Sequence, residues 1–80
     1  MTVTVKLFAT LTKYLPPGSE KKTTTLTFQH DATTDDIITR LGVPDGHVHL
    51  ILIDGKHASK GSPLHDGAVV SCFPPIAGGR

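Results

Sequence analysis

The chain has 80 residues, of which 38% are hydrophobic and 5% aromatic, and its formal net charge at pH 7 is +1. A chain of this length forms one domain with a small core, which argues against a large enclosed cavity. The weak charge and the few aromatic rings argue against the basic, base-stacking surface that nucleic acids require.

The single cysteine and the hydropathy pattern exclude further classes of protein. Cys72 has no partner for an internal disulfide or a thiolate metal cluster, so we expect a reduced, half-buried strand residue. The opening residues alternate in polarity, unlike a secretory signal, and no stretch approaches the roughly 20 apolar residues that span a bilayer. We therefore expect a cytoplasmic protein without a membrane partner.

Alternation and turn residues predict a hairpin, and a helix follows it. Every second residue of TVTVKLFA from Val3 to Leu7 is apolar, TTTLTF repeats the pattern, and PPGS between them is a turn signal. In DATTDDIITRLGVP, Thr33 and Asp36 resemble a capping box, and Gly42 suits the left-handed conformation that ends a helix. So short a helix is stable only when its apolar stripe packs on another element.

Two later segments complete the predicted fold. HVHLILIDGKHA gives a third strand ending at the Asp54-Gly55 turn, and AVVSCF gives a last strand ending before Pro74. The helix should cross one face of a mixed sheet of four to five strands, with the last strand beside and parallel to the first. The predicted class is α+β, a ubiquitin-like β-grasp domain over 1–73 followed by an extended flexible tail over 74–80.

The sequence FPPIAGGR follows the last predicted strand. Pro74 and Pro75 favour an extended polyproline conformation, and Ile76 offers one apolar anchor. Gly78 and Gly79 have no Cβ, so they can enter a passage too narrow for other residues. Two glycines alone are also typical of a disordered end. The combination of two prolines, an apolar residue and two glycines instead indicates a segment that inserts into the active site of another protein.

From end to end the chain resembles the MoaD/ThiS family of sulfur carriers. DGAVVSCFPPIAGG resembles the C-terminal end of that family, with its Asp-Gly turn, apolar strand, Pro-Pro pair and Gly-Gly. VKLFATL, DATTDDIITRLGVP and LILIDGK are similar to its first strand, helix and third strand. The Phe-Pro-Pro form resembles the small subunit of molybdopterin synthase more closely than the thiamine carrier.

The resemblance implies a protein-borne reagent rather than an enzyme. Family members have a terminal glycine carboxylate adenylated by an ATP-dependent relative of ubiquitin activators, and sulfur then displaces AMP to leave a thiocarboxylate. This role falls on Gly79, with Gly78 giving clearance; the carrier binds no cofactor, because its partner uses the ATP. A larger synthase subunit would consume the sulfur in molybdopterin or tungstopterin assembly. Partner binding falls on the residues before the glycines, namely Phe73, Pro74, Pro75, Ile76 and Ala77.

Arg80 departs from the family pattern. It moves the terminal carboxylate one residue beyond Gly79 and adds a bulky cation, so the chain as written should be a poor adenylation substrate. We expect a C-terminal peptidase to remove Arg80; an addition from expression, or a protein that no longer carries sulfur, are the alternatives. Other functions also stay open: a ubiquitin-like modifier joined through Gly79 to lysines, a thiamine-pathway carrier, or an interaction module with an inert tail.

The histidines and two of the aromatic residues are the other candidate site residues. His47 and His49 share a face of the predicted third strand, but no second ligand cluster accompanies them, so no metal site is expected. The remaining histidines, His30, His57 and His65, fall in predicted loops. Phe28 is expected in the core, whereas an exposed Phe8 on the face away from the helix would form a docking patch.

Overall fold

The predicted strand segments form one mixed sheet. A computed structural model of the protein describes residues 1–44 and 46–75. In chain order, the strands and the α-helix are β1 (Thr2–Leu7), β2 (Thr23–Thr27), α1 (Thr34–Leu41), β3 (Leu50–Ile53), β4 (Lys56–Ala58) and β5 (Val69–Phe73). The sheet has five strands in the order β2-β1-β5-β3-β4.

The two strands at opposite ends of the chain lie at the centre of the sheet. β1 and β5 are parallel, with Val5 opposite Val70. The other pairs are antiparallel, and Ile51 of β3 lies opposite Cys72 of β5. The predicted hairpin and the predicted parallel placement of the last strand beside the first are both confirmed.

One face of the sheet forms the core, into which the helix packs. Val5 and Val70 are 0% exposed, and Ile37 of α1, at 1%, belongs to the same cluster. Phe28 is buried there, as predicted. The other buried hydrophobic residues of this core are Val3, Leu7, Leu11, Leu26, Ala32, Val43, Val48, Ile51, Ala68 and Cys72.

Both predicted ends of the helix are present. The capping box forms at Thr33, whose N–H donates to Asp36 Oδ2 at 2.8 Å while its hydroxyl lies 3.3 Å from the same oxygen. Gly42 ends the helix with φ of 75°, in the left-handed region that glycine adopts without strain. These contacts satisfy backbone groups that a short helix would otherwise leave unpaired.

Three expectations about local structure were wrong. The segment after β1, predicted as loop, contains a 3-10 helix over Ala9–Tyr14 that buries Leu11 completely. His47 and His49 precede β3 rather than lying on it, because the chain reaches the ladder only at residue 50. His57 lies on the short edge strand β4 and not in a loop, because the turn before it returns the chain along β3.

Candidate functional site

The predicted partner-binding segment is described in part. Phe73 ends β5, and Pro74 and Pro75 continue from it. The other predicted site residues, Ile76, Ala77, Gly78, Gly79 and Arg80, lie outside the described residues. The extended tail over 74–80 and the chemistry at its tip therefore stay predictions.

A pair of stacked aromatic rings lies at the root of this segment. The rings of Phe8 and Phe73 have centroids 4.5 Å apart and planes inclined by 5°. Because Leu7 lies opposite Cys72 in the parallel pair, the next residues on both strands are neighbours. The Phe8 N–H donates to the Cys72 carbonyl at 3.2 Å and extends the pairing by one residue. Phe8 thus belongs to the surface at the end of β5.

Two leucines of β3 extend this surface. Leu50 lies opposite Phe73 and Leu52 opposite Ser71, so both lie on the sheet face away from Ile51 and the core. Each is half-buried, as the two phenylalanines are. We call Phe8, Leu50, Leu52 and Phe73 the outer patch.

The outer patch has a basic flank and a polar neighbour. One cross-strand row joins Lys6, Ser71, Leu52 and His57, which places the lysine and the histidine on either side of the patch. Lys6 and His57 are exposed. Toward the β2 edge the same face carries hydroxyl groups, those of Thr2, Thr4, Thr23, Thr25 and Thr27. This face of the sheet is therefore apolar around the end of β5 and polar toward β2.

The described residues also bear on a metal site, a reactive thiol and a membrane-spanning helix. Among residues 1–44 and 46–75, no three His, Cys, Asp or Glu side chains are grouped so that they could hold a metal ion. Cys72 is fully buried rather than half-buried as expected, and burial raises the pKa of its thiol to about 11, which keeps it protonated at neutral pH. No helix within these residues has the length and apolar character needed to cross a membrane.

Sequence reasoning named Phe8 and Phe73 as candidate docking residues but did not name the two leucines. LILI is a continuous apolar run, which does not show which residues point away from the core. One signal was available, because successive side chains of a strand point to opposite faces of the sheet. If Ile51 lies on the core face, Leu50 and Leu52 must lie on the other face.

The strand order with one helix against the sheet defines the class of protein, a ubiquitin-like β-grasp domain. The chain belongs to the Mut7-C ubiquitin family, whose sequence profile matches residues 1–78. None of the curated proteins compared with the chain matches it.

Solved structures of similar proteins share the fold. SAMP1 (small archaeal modifier protein 1) of Haloferax volcanii is 26% identical, with a TM-score of 0.70 over 99% of this chain and 100% of that one. The HVO 2177 protein of the same organism is 29% identical, with a TM-score of 0.73 over 99% and 87% of the two chains.

A more distant structure is a complex of subunits 1 and 2 of the molybdopterin-converting factor from Helicobacter pylori. Its matching chain is 20% identical, with a TM-score of 0.62 over 99% and 100% of the two chains. At that identity the likeness shows the fold. The predicted resemblance to ubiquitin-like β-grasp proteins is confirmed at the level of the fold.

Proposed function

We propose that the chain is a sulfur carrier whose Gly79 carboxylate is activated and converted to a thiocarboxylate. The observation that carries the proposal is the outer patch, which ends at Phe73, where the segment leading to Gly78 and Gly79 begins. A partner that binds the patch is held beside the root of that segment. The acceptor we favour is a molybdopterin-type cofactor precursor, supported by the fold shared with the molybdopterin-converting factor.

The chemistry requires little of the carrier itself. A carboxylate is a poor electrophile, so a partner enzyme adenylates Gly79 with ATP and releases pyrophosphate. A sulfur nucleophile then attacks the carbonyl carbon, and AMP leaves. The carrier binds no cofactor of its own, and its contribution is to position the carboxylate. Arg80 must first be removed, because the reacting carboxylate belongs to Gly79.

The outer patch is suited to binding a protein partner. Partly exposed aromatic and leucine side chains lose apolar surface to water when a partner covers them, and phenyl rings are well suited to filling a pocket. Lys6 and His57 flank the patch, so the complementary surface should be an apolar pocket with acidic residues at its rim. The adenylating enzyme and a larger synthase subunit would each bind here.

The direct test compares three purified forms with the cognate adenylating enzyme, ATP and a sulfur donor. A form ending at Gly79 should release pyrophosphate and gain the mass difference between sulfur and oxygen. The form that retains Arg80 and a Gly79→Ala form should do neither at a comparable rate. Equal adenylation of the Gly79-ending and Arg80-ending forms would contradict the required removal of Arg80.

The docking role needs a pair of variants on one sheet face. Leu52→Asp places a charge within the outer patch, whereas Thr25→Asp places the same charge on the threonine half. We expect the first to weaken binding of the adenylating enzyme at least about tenfold and the second to leave it within about twofold. If the two substitutions weakened binding equally, the outer patch would not be the binding surface for the adenylating enzyme.

A second function has one specific observation in its favour, the 26% identity to a protein named as an archaeal modifier. In this alternative the activated Gly79 is transferred to lysine amines of other proteins instead of sulfur. The two functions share activation and differ in the acceptor. Intact-mass analysis of the protein from its native cell separates them, since a carrier gains sulfur and a modifier forms covalent adducts on larger proteins.

A further inference from the structure

A side-chain latch joins the turn between β3 and β4 to the start of β5. Asp54 Oδ1 accepts the Val69 N–H at 2.9 Å, and Asp54 Oδ2 lies 2.6 Å from His65 Nε2. The Asp54 N–H also donates to the Val69 carbonyl at 2.8 Å. We call Asp54, His65 and Val69 the latch. It lies at the end of β5 opposite Phe73 and is independent of the proposed function.

Both ring nitrogens of His65 face oxygen atoms that carry no hydrogen. Nε2 faces the Asp54 carboxylate, and Nδ1 lies 2.9 Å from the Asp66 carbonyl oxygen. A neutral imidazole has one N–H and one lone pair, so it can donate to only one of these acceptors. The imidazolium donates to both. The geometry therefore favours the protonated ring.

A second fastening holds the same loop without using His65. The Thr2 N–H donates to Asp66 Oδ1 at 2.7 Å, and the Gly67 N–H donates to the Thr2 carbonyl at 2.7 Å. These bonds tie the loop to β1, whereas the latch ties it to the β3–β4 turn. Loss of the latch should consequently loosen one side of the loop and leave the fold intact.

We propose that the latch is a proton-controlled fastening, complete only while His65 is an imidazolium and Asp54 a carboxylate. The charges that act on this pair come from each neighbouring element. Asp54 belongs to the turn and Asp66 to the loop, and both attract the imidazolium; Lys56 of β4 attracts the Asp54 carboxylate. A neutral His65 can keep only one of its two ring contacts, and a protonated Asp54 no longer attracts the imidazolium, so loss of either charge weakens the attachment of the loop to the turn.

The pH interval follows from the direction of each shift. The bond to Asp54, and after it the Asp66 carbonyl, raise the pKa of His65 above 6.5. The Val69 N–H, and after it His65, lower the pKa of Asp54 below 3.8. The His65 contribution is complete below pH 6.5 and is lost as pH rises through its folded-state pKa. The Asp54 contribution is present above pH 3.8 and is lost as pH falls through its folded-state pKa.

Two NMR measurements on the full chain test the latch. We expect the ring of His65 to titrate above 6.5. The Val69 amide should exchange about two- to fivefold faster, after correction for the intrinsic pH effect, once His65 is neutral. In the Asp54→Asn variant, the amide oxygen of the asparagine still accepts the Val69 N–H. The pH midpoint of the His65 titration should fall in this variant, and the pH-dependent step in the exchange rate of the Val69 amide should disappear.

Matched variants separate the latch from general surface charge. His65→Gln should abolish the pH step at Val69, and His57→Gln, an exposed histidine on β4 outside the latch, should retain it. A Val69 exchange rate without a pH step in the unaltered chain would overturn the proposal. A His65 midpoint that Asp54→Asn leaves unchanged would overturn it equally.

Discussion

The rings of Phe8 and Phe73 lie nearly parallel, with their centroids 4.5 Å apart, where the two central strands end together. One ring lies close to the beginning of the sequence and the other at the last residue of β5. Both remain partly exposed. The stack therefore joins the ends of β1 and β5 while leaving aromatic surface for a partner.

The stack should contribute to stability as well as to binding. We expect Phe8→Ala to lower the free energy of unfolding by about 1–2 kcal/mol, from lost apolar burial and lost ring contact. Phe8→Tyr retains the ring and should stay close to the unaltered chain. Urea denaturation of the three proteins measures this. Equal midpoints for the alanine and tyrosine variants would show that the rings contribute nothing to folding.

Thr34 is a buried polar side chain, 1% exposed, that holds the loop after β4. Its hydroxyl donates to the Ser59 carbonyl at 3.1 Å and accepts the Gly61 N–H at 2.9 Å. Thr34→Val keeps the volume but removes the acceptor of the Gly61 N–H and one of the two donors to the Ser59 carbonyl, which also accepts the Ser62 N–H, so we expect a loss of about 1–3 kcal/mol in urea denaturation.

The control for this substitution lies on the same helix. Thr39 is exposed, and Thr39→Val should change the free energy of unfolding by no more than about 0.5 kcal/mol. If both valine variants lost the same stability, helix propensity rather than the buried hydroxyl would explain the effect of Thr34→Val.

Local signals accounted for much of the fold. The alternation around Val3 and Val5 identified β1, and Thr33, Asp36 and Gly42 identified the two ends of α1. The place of β5 beside β1 followed from the rules that govern strand connections. These features could be predicted because each is written in neighbouring residues or in the order of the elements.

Contacts between distant parts of the chain could not be predicted in the same way. The stacking of Phe8 on Phe73 depends on strand register, and the pairing of His65 with Asp54 depends on two loops meeting. Neither contact leaves a periodic pattern in the sequence. The sequence therefore predicts a binding segment from Phe73 onward, which stays a prediction, whereas the apolar surface that extends across β3 required the structure.

The 3-10 helix was missed because it carries one buried residue. Leu11 is 0% exposed and is flanked by polar residues, so no helical period marks it. We expect Leu11→Ala to cost about 2–5 kcal/mol through lost burial and a cavity in the core. Thr10→Ala, at an exposed position of the same helix, should be near neutral. Thermal unfolding measured by circular dichroism compares them, and a near-neutral Leu11→Ala would mean that this segment is not needed for the core.

Cys72 should be protected from reagents because burial acts on its charge and on its access together. Its side chain is 1% exposed, and burial raises the pKa of the thiol from 9.0 to about 11, which lowers the thiolate fraction at neutral pH about a hundredfold. Alkylation by iodoacetamide, followed by mass spectrometry, should be at least about a hundredfold slower than in urea. Equal alkylation rates with and without urea would place the thiol at the surface.

The raised pKa of Cys72 also makes the stability of the fold depend on pH. Its contribution is present below pH 9 and is lost as pH rises through about 11. Above pH 9, the Cys72→Ala variant should therefore lose less stability with rising pH than the unaltered chain.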